Sequence, residues 1–212
     1  MISRRQMIAS SSALAALGVS SAARAQGATC AVFDKSSQAA TSPDQALARL
    51  KEGNERFSNG KTVNCDLMSQ VKATSGQQSP VACVVGCIDS RVPPELVFDQ
   101  RLGDIFAARV AGNFVNTDII GSLEFATKLA GAKVIVVLGH TECGAIKGAV
   151  DDAKLGNLTA TLANIRPSLT KLNYSAMPSS KNKELVQRVA DQNARDAAAN
   201  LTAKSEVLSE LV

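Results

Sequence analysis

Cys87, Asp89 and Arg91 stand two residues apart in turn, and His140 and Cys143 stand three apart. Thiolate and imidazole are ligands for zinc, and a carboxylate beside a guanidinium is a ready ion pair. The chain has five cysteines and one histidine, so a zinc centre needing two or three imidazoles from one chain is excluded. Any zinc held here takes most of its ligands from thiolate or carboxylate. Two thiolates and one imidazole, from Cys87, Cys143 and His140, would leave a fourth position for water or substrate, as catalytic zinc sites require. Other readings of each residue stand beside this one. A cysteine at a strand end is commonly a small buried hydrophobe, and a lone histidine a hydrogen-bonded bystander. Asp89 and Arg91 could be a structural ion pair, and Glu142 a solvated side chain. A redox pair lacks the Cys-x-x-Cys spacing that would support it.

The elements around these residues favour their convergence. Three continuous apolar runs, Val81–Gly86, Ile105–Val110 and Lys133–Gly139, read as strands buried on both faces, hence parallel. Cys87-Ile88-Asp89-Ser90-Arg91 follows the first run and His140-Thr141-Glu142-Cys143 the third. The C-terminal ends of parallel strands are where open sheets gather functional groups. Gly86 and Gly139 precede the two segments and would allow sharp turns. Asn113 reads as a turn or site-wall residue. A helix over Thr117–Ala130, capped by Asn116 or Thr117 and stopped by Gly131, separates the second and third strands. A helix over Pro43–Phe57 has Ser42 as N-cap and Gly60 beyond its end. Residues 61–80 read as loop with one short helix. Residues 151–212 read as helices, with Leu185, Val189, Ala197 and Leu201 on one apolar stripe. The expected class is α/β: a central, mostly parallel sheet flanked by helices.

Residues 1–25 read as an export signal. Arg4 and Arg5 precede a short apolar stretch, and Ala23-Arg24-Ala25 offers a small-residue cleavage site. Ser3-Arg4-Arg5-Gln6-Met7-Ile8 resembles a twin-arginine signal, which places the protein in the periplasm or outside the cell. Residues 26–42 read as a linker and 43–212 as the functional domain. Cleavage would remove Arg4, Arg5 and Arg24 and no acid, taking most of the formal +4 charge with them. The mature chain then has no charge-based case for a polyanionic partner. Aromatics are 3% of the residues, with no tryptophan, which argues against nucleic-acid binding by stacking. No apolar run has a membrane-spanning length, so no membrane partner is expected once the signal is cleaved.

The segments CIDSRVPPELVFDQRLGDIFAARVAGNFVN (87–116), GSLEFA (121–126) and HTECGAIKGA (140–149) resemble the β-class carbonic anhydrases. LKEGNERFSNGK (50–61) resembles that family's N-terminal arm. The resemblance implies zinc on Cys87, His140 and Cys143, with Asp89 and Arg91 as a catalytic carboxylate–guanidinium dyad. In some members the equivalent of Asp89 swings in as a fourth metal ligand, so Asp89 also stands as a candidate ligand. The implied reaction is reversible hydration of carbon dioxide to bicarbonate and a proton, by hydroxide formed when zinc lowers the pKa of water to about 7. Hydrolysis of carbonyl sulfide or carbon disulfide is the alternative, and an inactive zinc-binding protein a third reading. The family implies a homodimer or higher homo-oligomer. Its sheet carries a further strand near the C-terminus that this sequence does not offer after Ser209-Glu210-Leu211-Val212, so the outer edge of the third strand should lack a neighbour. Cys83 reads as core. Cys30 and Cys65 could pair in an oxidising compartment.

Overall fold

The computed structural model describes residues 30–212; the proposed signal, residues 1–25, lies outside them. Three parallel strands form the sheet: β1 (Ala82–Gly86), β2 (Ile105–Arg109) and β3 (Val134–Leu138). Their spatial order is β2-β1-β3, and Ala82 stands opposite both Ile105 and Val134. The expected α/β class and parallel sheet are therefore observed. Central β1 is buried along its whole length. β2 and β3 are partly exposed, against the expectation of burial on both faces, because among the described residues neither has a strand on its outer side.

Helices close both faces. α1 (Lys35–Ala40) lies inside the segment read as a linker. A capping box between Asp34 and Ser37 starts it, and buried Gln38 donates to the carbonyls of Pro80 (2.6 Å) and Ala130 (2.8 Å). Those two bonds tie the segment to the start of the sheet. Cys30 and Cys65 are joined by a disulfide, fixing its other end. α2 (Pro43–Ser58) starts at the expected Ser42 cap and buries Ala46 and Leu50. The short α3 (Leu67–Thr74) occupies the segment read as mixed loop and helix. α4 (Pro94–Val97) follows the Cys87–Arg91 segment.

The helix expected over Thr117–Ala130 is α5 (Thr117–Glu124) continued by a π-helical turn over Phe125–Leu129. Asn116 is its cap, accepting from the Ile119 N–H, and Gly131 ends it at φ 83°. After β3 come α6 (Gly144–Val150), α7 (Gly156–Ala163), α8 (Arg166–Lys171), α9 (Lys183–Lys204) and α10 (Glu206–Ser209). α9 buries Leu185, Val189, Ala197 and Leu201, the stripe read from sequence, and packs on β3, α6 and α8. No helix of the described residues is long and apolar enough to cross a membrane.

Cys83, Val85, Ile120, Leu123 and Leu201 pack together on one face of the sheet, with Cys83 as core. Leu50, Ala82, Val84, Phe98 and Ile105 pack on the other. A third cluster, including Cys87, Phe114, Cys143, Ile146 and Ile165, sits past the C-terminal ends of β1 and β3. It walls the functional segments with apolar side chains. No strand follows β3 among the described residues, and a groove of about 580 Å³ runs along its outer edge, lined by Val134, Ile135, Leu201 and Leu208.

Candidate metal centre

Cys87 begins the loop that leaves β1, and Cys143 is the N-cap residue of α6. His140 lies between β3 and α6. Because β1 and β3 are adjacent and in register, both segments leave the same edge of the sheet. One ligand atom from each of Cys87, His140 and Cys143 lies within 4.8 Å of the other two. The three residues that the sequence grouped are thus brought together.

The hydrogen bonds prepare each donor atom. His140 Nδ1 is 2.9 Å from the Thr141 carbonyl, which can only accept, so Nδ1 carries the proton. Nε2 is then the lone-pair nitrogen, and it is buried with no hydrogen-bond partner among the described residues. The two sulfurs stand 3.9 Å apart. Two thiolates on one tetrahedral zinc, each at about 2.3 Å, would stand about 3.8 Å apart. Gly112 N–H donates to Cys87 Sγ at 3.3 Å. The contact with Cys143, together with that N–H, pulls the Cys87 thiol down to about 4. The same contact, with burial, pushes the Cys143 thiol up. The shared contact thus favours the thiolate at Cys87 and the thiol at Cys143. A buried unpaired imidazole nitrogen beside two thiols at this spacing is a soft donor set that fits zinc.

Asp89 lies beside this cluster, outside it. Arg91 grips its carboxylate as a fork: Nε to Oδ1 at 2.9 Å and Nη2 to Oδ2 at 2.7 Å, with the Arg91 backbone N–H also on Oδ1 at 2.9 Å. These bonds hold the Asp89 carboxyl well below the usual carboxylate range. Of the two roles the sequence left open for Asp89, ion pair and metal ligand, the structure displays the ion pair. Arg91 Nη2 also reaches the Glu142 carbonyl at 3.3 Å, joining the two loops. The Glu142 side chain pairs with Lys147, which lowers its carboxyl pKa, so it is an ion-pair member and not merely solvated.

Three supporting features escaped the sequence reading. Arg109, at the end of β2, donates from Nε to the Cys87 carbonyl (2.8 Å) and from Nη2 to the Asp89 carbonyl (2.6 Å). It fixes the backbone that carries ligand and carboxylate alike. Gly112 adopts φ 84°, and a Cβ there would stand 2.4 Å from Ile165 Cδ1. Asn193 on α9 donates to the Gly112 carbonyl at 2.7 Å, anchoring the turn. The expectation for Gly86 and Gly139 is corrected: neither has positive φ. Asn113 is the turn residue, at φ 44° with its N–H on the Val110 carbonyl.

Comparison with known proteins agrees with this geometry. The family model for carbonic anhydrase matches residues 82–212. Carbonic anhydrase 2 of Mycobacterium tuberculosis is 35% identical over 178 residues, covering 81% of this chain and 83% of that protein. The structure of the carbonic anhydrase CafA of Aspergillus fumigatus aligns with a TM-score of 0.59 at 27% identity, over 79% of this chain and 78% of that one. A tetrameric β-carbonic anhydrase of Sordaria macrospora aligns with a TM-score of 0.56 at 25% identity, over 68% and 78% of the two chains. The chain belongs to the β-class carbonic anhydrases, a family of carbonate dehydratases.

Proposed function

We propose that this protein catalyses the reversible hydration of carbon dioxide with one zinc ion held by Cys87, His140 and Cys143. The observation that carries this reading is the unpaired, buried Nε2 of His140 facing two sulfurs 3.9 Å apart, in a member of this family. Bound zinc supplies a hydroxide nucleophile at neutral pH by lowering the pKa of water to about 7.

The protein's own groups account for orientation and proton placement. Arg91 keeps Asp89 ionised and fixes the plane of its carboxylate through two parallel bonds. An ionised carboxylate only accepts hydrogen bonds, so Asp89 accepts one from the O–H of the reacting oxygen and turns that oxygen's lone pair toward the substrate carbon. Arg109 and Gly112 hold the Cys87–Asp89 backbone so that sulfur and carboxylate keep a fixed separation. His140, with its Nδ1 proton committed to the Thr141 carbonyl, is a ligand and not a proton shuttle. No second histidine exists in the chain, so protons leave by water and external buffer.

The protein works outside the cytosol in this reading, exported by its N-terminal signal. The Cys30–Cys65 disulfide supports that placement, since such bonds persist in oxidising compartments. It acts as a homo-oligomer, as the tetrameric Sordaria macrospora relative suggests.

The deciding experiment compares substrates on one zinc-loaded preparation. Stopped-flow carbon dioxide hydration and hydrolysis of carbonyl sulfide and carbon disulfide are measured in parallel. Hydration far above the buffer rate, with slow or absent hydrolysis, is the expected result. Efficient hydrolysis without hydration would overturn the assignment.

A further inference from the structure

We infer that Cys87 and Cys143 are also a redox modification site: in the metal-free chain they are oxidised by hydroperoxide to an intrachain disulfide that excludes zinc. The inference rests on the zinc reading above and extends it to the state of the chain before metal arrives.

The geometry that suits a shared metal ion also suits a bond between the ligands. The sulfurs are 3.9 Å apart, and a disulfide needs about 2.0 Å, so closure requires the two sulfurs to approach by about 1.9 Å, through side-chain rotation and loop adjustment. Both loops end in irregular backbone. Cys87 leaves β1 into a turn, and Cys143 follows Glu142, which sits at φ 55°. Burial selects the oxidant. Cys87 is 4% exposed and Cys143 1%, so a bulky disulfide reagent is kept off both sulfurs. A site proposed to admit carbon dioxide and water admits hydrogen peroxide, which is of similar size.

The chemistry balances in two steps. One thiol gives its proton to solvent, and the resulting thiolate attacks the peroxide O–O bond; with a proton returned to the leaving hydroxide the products are a sulfenic acid and one water. The second thiol attacks the sulfenic sulfur, forming the S–S bond and releasing a second water. The two thiol protons and both peroxide oxygens leave as water, and the dithiol has lost two electrons. The 3.9 Å neighbour makes the second step intramolecular, ahead of over-oxidation. A sulfur spent in the S–S bond is no longer a thiolate ligand, so disulfide and zinc exclude one another.

The rest of the chain gives this a setting. The Cys30–Cys65 disulfide belongs to an oxidising environment, the one in which an unprotected Cys87–Cys143 pair is at risk. Cys83, the remaining free cysteine of the described residues, lies within β1 in a different apolar cluster. It therefore serves as an internal control.

The test uses the full chain, purified with zinc, as two samples: zinc-loaded, and freshly stripped with a chelator. Each receives a modest excess of hydrogen peroxide, then catalase. Free thiols are alkylated under denaturing conditions and the peptides are mapped by mass spectrometry. Zinc uptake is measured before peroxide, after it, and after a dithiol reductant. In the stripped chain the expected product is a Cys87–Cys143 linked peptide lighter than the dithiol by two hydrogens. Zinc uptake should fall from about one per chain to near zero and return on reduction. The zinc-loaded chain should keep both thiols alkylatable, and Cys83 should stay free in both samples. Sulfinic or sulfonic acid at Cys87 or Cys143 without a link, links through Cys83, or undiminished zinc uptake by the oxidised chain would each overturn the proposal. A reduced chain that takes up no zinc refutes the zinc reading itself, whereas one that takes up zinc and never yields the linked peptide overturns this inference alone.

Discussion

Replacing Arg109 by methionine removes two hydrogen bonds from the loop that carries the first ligand, while keeping an apolar stem of similar length. The bonds are short, at 2.8 Å to the Cys87 carbonyl and 2.6 Å to the Asp89 carbonyl. Their loss is unequal in effect. The Asp89 carbonyl still receives the Val92 N–H at 3.2 Å, whereas the Cys87 carbonyl has no second donor among the described residues. One orphaned carbonyl costs roughly 1–3 kcal/mol, and a lost charge-assisted bond elsewhere adds about 1.5 kcal/mol. A loss of about 3 kcal/mol is therefore expected, or roughly 6–12 °C in Tm for a chain of this size. Zinc affinity should weaken about 10–100-fold, the usual effect of removing a group that orients a ligand. Arg109→Lys should recover only part of either quantity, because one ammonium does not reproduce the planar fork. Thermal melts at saturating zinc give the first number, and competition against a chelator of known affinity gives the second. An Arg109→Met chain with unchanged Tm and unchanged zinc affinity would refute the positioning role.

Gly112→Ala forces a Cβ to within 2.4 Å of Ile165 Cδ1 at φ 84°, so a loss of about 2 kcal/mol or more is expected in denaturant melts, with weaker zinc binding as the N–H moves off Cys87. Arg91→Ala should keep its zinc, by metal analysis, while carbon dioxide hydration falls at least tenfold, because Asp89 loses its orienting fork. The same variant should change the acid limb of stability. The folded Asp89 pKa is depressed by Arg91, so its contribution is present above the unfolded value near 3.9 and lost as pH falls below it, and that pH-dependence should shrink without the arginine. Replacing Cys30 and Cys65 together by serine opens a loop of 35 residues and should cost about 4 kcal/mol by the chain-entropy relation, read from urea melts.

What was legible in the sequence was chemistry carried by side chains of unusual type. Cys87 followed one unbroken apolar run and His140 and Cys143 another, and adjacency of β1 and β3 was enough to bring them together. The strand runs were legible because burial on both faces leaves an unbroken apolar string, as in Val81–Val85. Features that act through the backbone were not. Arg109 looked like one charged residue at the end of a strand, and only the folded loop puts two carbonyls in its reach. Gly112 carries the left-handed turn, where Ile165 leaves no room for a Cβ and Asn193 bonds the carbonyl, and neither contact shows in the local sequence. α1 escaped as a helix because its six residues, Lys35–Ala40, show no apolar period. What holds it is buried Gln38 bonding the carbonyls of Pro80 and Ala130, a tertiary event. The resemblance to a known family supplied the reaction itself, which spacing alone leaves open.

Zinc titration of the stripped, reduced chain, followed by stopped-flow carbon dioxide hydration, tests the metal centre most directly. The expected result is a hydration rate that starts at the buffer level, rises linearly with added zinc and levels off at about one equivalent per chain, while Cys143→Ala stays at the buffer rate throughout. Full hydration by the stripped chain, or no rate above buffer with one zinc bound per chain, would contradict the assignment of Cys87, His140 and Cys143 as the ligands of a catalytic zinc.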